Sequence, residues 1–394
     1  MKSVDQHLAD ILATVRPLAP LEVELESALG TTLAEEIISP VPLPPFNNSA
    51  MDGYAVRAVD VADVPVTLPV IDDVAAGAGE MLAIGPGHAA RIMTGGPMPA
   101  GADAVVPVEW TDGGKVSVRV DRAAEVGNAI RLAGEDVRAG DTVLRPGAVI
   151  GPAQLGIIAG VGRRRVLVRP RPRVVVLATG AELVEPGLPL GHGQIWDSNS
   201  FTLTAAVREA GGDGFRAPTV GDDPAAFLEQ LDAQLVRADA VITSGGVSMG
   251  AYEPVKQALG PLGTVRFEKV AMQPGMPQGF GVVGDDQVPV FALPGNPVSS
   301  FVSFMLFVRP ALRRMRGLEA GLPATVAARL TADVRSPAGK RSFLRGRLAG
   351  GTVEPVHGQG SHQLAALASA DTLIVVPEEV TAVAAGEEVR VIRL

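Results

Sequence analysis

The sequence predicts an α/β multidomain protein. It has a central αβ domain with a mostly parallel sheet, an inserted mostly-β domain, a helical linker region and a small C-terminal β domain. Three observations carry this. From Arg173 to Arg314 short apolar runs alternate with helical patterns, as in a parallel sheet covered on both faces. Between Pro40 and Val149 short β-like runs are broken by Gly, Pro and Asp. From residue 322 to the end the chain returns to short β-like runs between turn signals. With 394 residues, 47% of them hydrophobic, it can bury sizeable cores; at roughly 100–200 residues per domain, about two to four domains are expected.

Residues 3–16 read as an amphipathic helix (Val4, Leu8, Ile11, Leu12, Val15) that stops before Pro17. Residues 22–38 read as a second helical region. The β segment contains runs at 64–71, 89–93, 104–108 and 115–120. Residues 152–161 read as a small-residue helix expected to pack back onto the N-terminal helix, which makes the β segment an insertion. In the αβ segment, strands are expected at 173–178, 215–220, 238–243, 264–270 and 288–293. Helices are expected at 200–210, 224–237, 253–259 and, long and apolar, 297–314. The last segment has β-like runs at 325–331, 343–348, 372–377 and 388–392. The expected domains are 1–39 with 140–168 (helical linker), 40–139 (inserted β), 169–318 (αβ) and 319–394 (C-terminal β).

Composition removes several functions. A formal net charge of -9 disfavours binding to nucleic acid or an anionic membrane. The chain has no Cys, so disulfides, thiolate metal sites and cysteine nucleophiles are excluded; this fits a reducing cytosol, and a cytoplasmic location is expected. The N-terminus lacks a signal-peptide pattern, and the longest apolar run, 301–308, is too short to span a bilayer. His7, His88, His192, His357 and His362 show no metal-ligand spacing.

Ligands of an open parallel sheet bind beyond the carboxyl ends of its strands. Three strands here run into suitable loops: Thr179-Gly180-Ala181-Glu182, Ser244-Gly245-Gly246-Val247-Ser248-Met249-Gly250, and Pro294-Gly295-Asn296-Pro297. Glycine lets backbone N–H groups approach an anion, serine adds a hydroxyl, and a following helix offers its positive end. A phosphate-bearing ligand is expected. No Walker A loop and no GxGxxG follows a strand, which disfavours nucleoside triphosphatases and dinucleotide oxidoreductases. Nearby acids (Glu182, Asp197, Asp222, Asp223, Glu253) suggest Mg²⁺. Equally, Asp222 and Asp223 could cap the helix that follows, and Glu253 could serve a helix dipole. The segment from Pro44 to Val56, PPFNNSAMDGYAV, is irregular and dense in Asn, Ser and Asp between apolar anchors, which favours a functional role.

The motifs PPFNNSAMDGYAVR, RIMTGGPMPAGADAVVPVE, GEDV, ATGAELV, SGGVSMG, LPGNPVS and GQGSH stand in one order over essentially the whole chain. In this the chain resembles the molybdopterin molybdenumtransferase family, bacterial MoeA and the E domain of gephyrin. The resemblance implies a molybdopterin-binding type of αβ domain and an elongated homodimer of four-domain subunits. It implies a Mg²⁺-dependent transferase of molybdenum cofactor biosynthesis: adenylyl-molybdopterin plus molybdate gives molybdenum-molybdopterin plus AMP. The active site is then shared between the αβ domain of one subunit and the NSAMDGYA domain of the other. A transient contact with the pterin adenylyltransferase of the pathway is also expected. By motif, Asp52, Thr94 and Glu182 match catalytic positions. Asn48, Ser49, Ser244, Gly245, Gly246, Ser248, Pro294, Gly295, Asn296 and Pro297 match substrate- and nucleotide-binding positions. Gln273, Lys340, Arg345 and Ser361 match molybdate-binding positions, and Glu253 and Asp222 match metal ligands.

Three departures stand out. Glu253 replaces an aspartate of many relatives; Gln273 and Met276 replace the two lysines of a KPGKP segment; Asn47 replaces an aspartate. Competing readings are a non-catalytic scaffold, a pterin adenylyltransferase or nucleotide-amide hydrolase on the same αβ domain, and a tungstate enzyme. The mostly intact acids and donors favour an enzyme over the scaffold. The NSAMDGYA and GQGSH segments disfavour the second reading.

Overall fold

The computed structural model describes residues 1–77, 82–247 and 253–394. The chain forms two compact units. One comprises Met1–Glu22, Gly30–Thr32 and Leu167–Leu394; the other comprises Val23–Leu29 and Leu33–Val166.

In the first unit a six-stranded sheet runs in the order Asp213–Arg216, Arg173–Ala178, Ala240–Ser244, Val288–Leu293, Pro277–Val283, Val265–Lys269. The first four strands are parallel, and the last two join antiparallel. The RVVVLA run explains its central place. Side chains alternate across a strand, so Val174 and Val176 enter one core, with Leu203, Ile242 and Phe291, while Val175 and Leu177 enter the other, with Phe227, Val241 and Val290.

The N-terminal helix, Val4–Thr14, places Val4, Leu8 and Ile11 in the first of these cores beside Phe307 and Leu312. The small-residue helix forms at Pro152–Gly160 and belongs to the other unit. The long apolar helix forms, but in three parts: Pro297–Ser303, a π-helical stretch Phe304–Val308, and Arg309–Met315. Pro310 has no N–H to give the preceding turn, which coincides with the widening. All five π-helical side chains are buried.

The strand expected at 215–220 sits earlier, at Asp213–Arg216. The strand Pro277–Val283 was not anticipated, because Gly279 and Gly281 argue against a strand interior. Both glycines mark close approach instead. A Cβ on Gly281 would lie 2.1 Å from the Thr264 carbonyl oxygen, and one on Gly279 would lie 2.7 Å from the Phe267 ring.

The C-terminal strands close on themselves. Arg341–Ala349 pairs with Thr352–Pro355, that with Thr325–Leu330, that with Glu388–Arg393, that with Thr372–Val376, and the last returns to Arg341–Ala349. The result is a small barrel with no open edge among these five strands. Met272–Gln273 adds to it in parallel, with Gln273 opposite Ser342.

The second unit holds a five-stranded sheet in the order Ala104–Pro107, Gly53–Val56, Ala89–Ile92, Val66–Val74, Ser117–Val120. Gly53–Val56 is buried throughout, with Tyr54 and Val56 in one core and Ala55 in another. Residues 22–38 are not a helical region. They form a strand Leu21–Glu24, a 3-10 turn Leu25–Ser27 and short extended pieces Thr32–Leu33 and Ile37–Ile38. Gly30 at φ +77° and the β-branched Thr31, Thr32, Ile37 and Ile38 defeat the helical reading. Among the described residues no helix is long and apolar enough to cross a membrane.

Candidate active site

The parallel register places Ala178 beside Ser244 and Ser244 beside Leu293, so three loops leave the sheet side by side. They line a cavity of 840 Å³ together with Trp196, Asn199, Asp222 and Glu253. Asn199, at the start of the helix Asn199–Glu209, ties two of the loops: its Nδ2 donates to Ser244 Oγ at 2.8 Å and to the Gly295 carbonyl at 2.6 Å. Gly245 (φ +97°) occupies the left-handed region, and a Cβ there would lie 2.7 Å from the Thr179 carbonyl oxygen. Gly246 and Pro294 are also walls of the cavity, as are Asn296 and Pro297. Ser248 lies outside the described residues.

The acids separate into two groups. Asp223 caps the helix Pro224–Leu235 by accepting from Ala225 N at 3.1 Å, whereas Asp222 lines the cavity. Asp197 belongs to both groups: it lines the cavity, yet it is buried and accepts from Ser200 N at 3.0 Å. Glu182 and Glu253 line the cavity. Among the described residues no three His, Cys, Asp or Glu side chains form a metal cage. Mg²⁺ needs no such cage: it binds through one or two carboxylates, substrate phosphate oxygens and water. Asp222 and Glu253, lining one cavity with the glycine-rich loops, fit that donor set.

The GQGSH loop is docked on the third loop. Asn296 Nδ2 donates to Ser361 Oγ at 3.0 Å, and Val298 N to the Ser361 carbonyl at 3.0 Å. His362, next in the chain, lines the cavity. Arg345, expected as an oxyanion donor, is fully buried beneath this loop instead. It shares the inward face of its barrel strand with Phe343, and its Nη2 donates to the Gly358 and Gly360 carbonyls at 2.7 and 3.1 Å. Burial pushes its guanidinium pKa down. Gln273 is exposed and half-buried Lys340 precedes the paired residues Arg341 and Ser342, so the two are neighbours; neither is a wall of the cavity.

In the second unit Asp52 is exposed, and its Oδ1 accepts from Thr94 N at 2.7 Å and Thr94 Oγ1 at 2.8 Å. Two motifs 42 residues apart thus meet in one pair. The backbone N–H and then the hydroxyl of Thr94 hold the Asp52 carboxyl below the ordinary aspartate value of 3.8. The charged form is the one favoured, so it persists as pH falls. Any loss of turnover from protonating Asp52 is expected below pH 3.8. A pH–rate profile checks this: an acid limb at about pH 5–7 that disappears in Asp52→Asn would contradict it.

Asn48 and Ser49, expected to bind substrate, are buried and used locally. Asn48 Nδ2 donates to the Phe46 carbonyl at 3.1 Å and Ser49 Oγ to the Met51 carbonyl. Their short polar side chains shape the turn that presents Asp52. Asn199 and Trp196 escaped the sequence reading. The polar run Asp197-Ser198-Asn199-Ser200 at a helix start, just after a strand-like Ile195-Trp196, was the available signal.

Comparisons with known proteins agree with this architecture. Residues 2–162 match the family model of the MoeA N-terminal region (domain I and II), residues 175–314 that of a probable molybdopterin binding domain, and residues 327–394 that of the MoeA C-terminal region (domain IV). The chain is 49% identical over 403 residues to molybdopterin molybdenumtransferase 2 of Mycobacterium tuberculosis, with 99% of each chain covered. It is 41% identical over 419 residues to molybdopterin molybdenumtransferase 1 of that organism, with 99% of this chain and 98% of the relative covered. A crystal structure of the molybdopterin biosynthesis MoeA protein of Pyrococcus horikoshii matches with a TM-score of 0.81 at 34% identity, covering 99% of this chain and 98% of the other. With three family models matched in order along its length, the chain belongs to the MoeA family of molybdopterin molybdenumtransferases.

Proposed function

We propose that the protein inserts molybdate into adenylyl-molybdopterin and releases AMP, as a Mg²⁺-dependent homodimer. The observation that carries this is the cavity where Gly245, Gly246 and Gly295 stand beside Asp222 and Glu253. Glycine-rich backbone suits the phosphoanhydride, and the carboxylates suit the cation that accompanies it. Mg²⁺ bound there supplies charge neutralisation at the leaving phosphate. Asn199 holds the Ser244 hydroxyl and the Gly295 carbonyl in place, so the cradle is preorganised before substrate arrives. Asp52, kept as a carboxylate by Thr94, orients the attacking oxygen of water or molybdate. Glu182 adds negative charge on the cavity wall and so favours cation binding. Ser361, fixed by Asn296 next to the cavity wall, is a donor for a tetrahedral dianion, and Arg345 supports its loop from below; Gln273 and Lys340, which do not line the cavity, stand outside that step.

The test is a single-turnover assay of AMP release from adenylyl-molybdopterin. AMP is expected only with both Mg²⁺ and molybdate. Equal AMP release without molybdate would reject the coupled insertion, and no AMP at any molybdate concentration would reject the reaction.

A further inference from the structure

The cavity lining is of two chemical kinds. The loops at 244–246 and 294–296 offer backbone, serine and asparagine groups; Leu183, Ile195 and Trp196 offer apolar surface. Trp196 is 51% exposed although it is a cavity wall. Its indole N–H is already spent on the Leu188 carbonyl at 2.9 Å. The ring is further located by its strand register, Trp196 opposite Val184 and Ile195 opposite Leu183.

Two other aromatic side chains are covered by a cation. Arg122 lies 4.1 Å from the centroid of Trp110, and Arg216 lies 3.6 Å from that of Phe201. Among the described residues no ring and no arginine packs on Trp196. A fixed, half-exposed indole with no aromatic or arginine partner among the described residues, beside the glycine-rich loops, is built to receive a flat ring.

We propose that Trp196 is the stacking platform for one flat heteroaromatic face of the substrate. This rests on the reading of the cavity given under Proposed function. Adenylyl-molybdopterin offers two such faces, its purine and the pyrimidinone ring of its reduced pterin, joined through the phosphoanhydride that the glycine loops suit. A platform beside that cradle would fix the substrate at two points, charge at one and a ring face at the other, and so aim the reacting bonds. The N–H bond to Leu188 also fits an anchor for the 185–194 loop, and the test separates the two roles.

The full-length protein is titrated by calorimetry with AMP, a soluble free pterin and ribose 5-phosphate, as wild type, Trp196→Ala and Trp196→Phe. Stacking of one base is worth about 1–3 kcal/mol, so Trp196→Ala is expected to weaken AMP or pterin, whichever ring stacks, by about 5- to 150-fold. Ribose 5-phosphate should bind as before, and Trp196→Phe should retain most of the affinity. In a Trp110→Phe background, the same ligand should quench the remaining tryptophan fluorescence.

Unchanged AMP and pterin affinity in Trp196→Ala would overturn the proposal. So would a parallel loss of ribose 5-phosphate, which signals damage to the cradle. A Trp196→Phe protein as weak as Trp196→Ala would assign the residue to loop anchoring and also overturn it. Failure of the wild type to bind AMP or pterin is a different result, since it would reject the underlying reading of the cavity.

Discussion

Asp52→Ala is expected to lower single-turnover AMP release by about 10²–10⁴-fold, the usual range for removing a positioned proton-transfer group. The side chain is exposed, so the variant should fold, and calorimetric AMP binding by the other unit should be unchanged. Asp52→Asn sharpens the test. It keeps an oxygen to accept from Thr94 N and Thr94 Oγ1 while removing the charge. If the carboxylate is what matters, Asn is nearly as inactive as Ala. If the fixed oxygen matters only by holding Thr94, Asn restores activity. Normal turnover by Asp52→Ala would remove Asp52 from the mechanism.

Gly53→Ala, one residue on, is expected to give the largest loss of stability. A Cβ at Gly53 would lie 2.1 Å from the Val106 carbonyl oxygen and 3.0 Å from the Pro107 Cα. Those atoms are backbone in the neighbouring strand, and Val108 N donates to the Asp52 carbonyl just beyond. No side chain can swing aside, so the strand pair must part. Overpacking costs about 1–3 kcal/mol and sometimes more, and here it also displaces Asp52. Urea unfolding followed by Trp110 fluorescence in a Trp196→Phe background reads the second unit. A midpoint equal to the parent's would show that the ladder relaxes without cost.

Much of this architecture was legible in the chain. RVVVLA, ADAVIT and VPVFAL are buried on both faces, so their apolar runs are continuous and unmistakable. The glycine and serine loops after them were visible because a strand end constrains what can follow. Residues 22–38 read as helical although they hold Thr31, Thr32, Ile37 and Ile38, β-branched residues whose extended pieces settle only when paired. The Pro277–Val283 strand was invisible because its glycines make room for Phe267 and the Thr264 carbonyl, and such neighbours are set by the fold. Arg345 carries the same lesson. Its charge suggested an anion, but its parity with Phe343 on a barrel strand turned it inward. Asn48 and Ser49 have side chains equally apt for ligand or turn, and only the position of the Phe46 and Met51 carbonyls decides between them.

The contact between the second and third loops has a consequence for how this chain can vary. A Cβ on Gly295 would lie 3.4 Å from the Cα of Gly245, and Asn199 bridges the Gly295 carbonyl to Ser244. Two segments fifty positions apart in sequence therefore share one narrow space and one amide. Residues in such contact have non-additive effects. A tolerated change in SGGV depends on the state of LPGN, and the reverse, so across descendants of this chain the two segments drift together or stay still together. Swapping one of them alone from a distant relative is the exchange this cavity is least able to absorb.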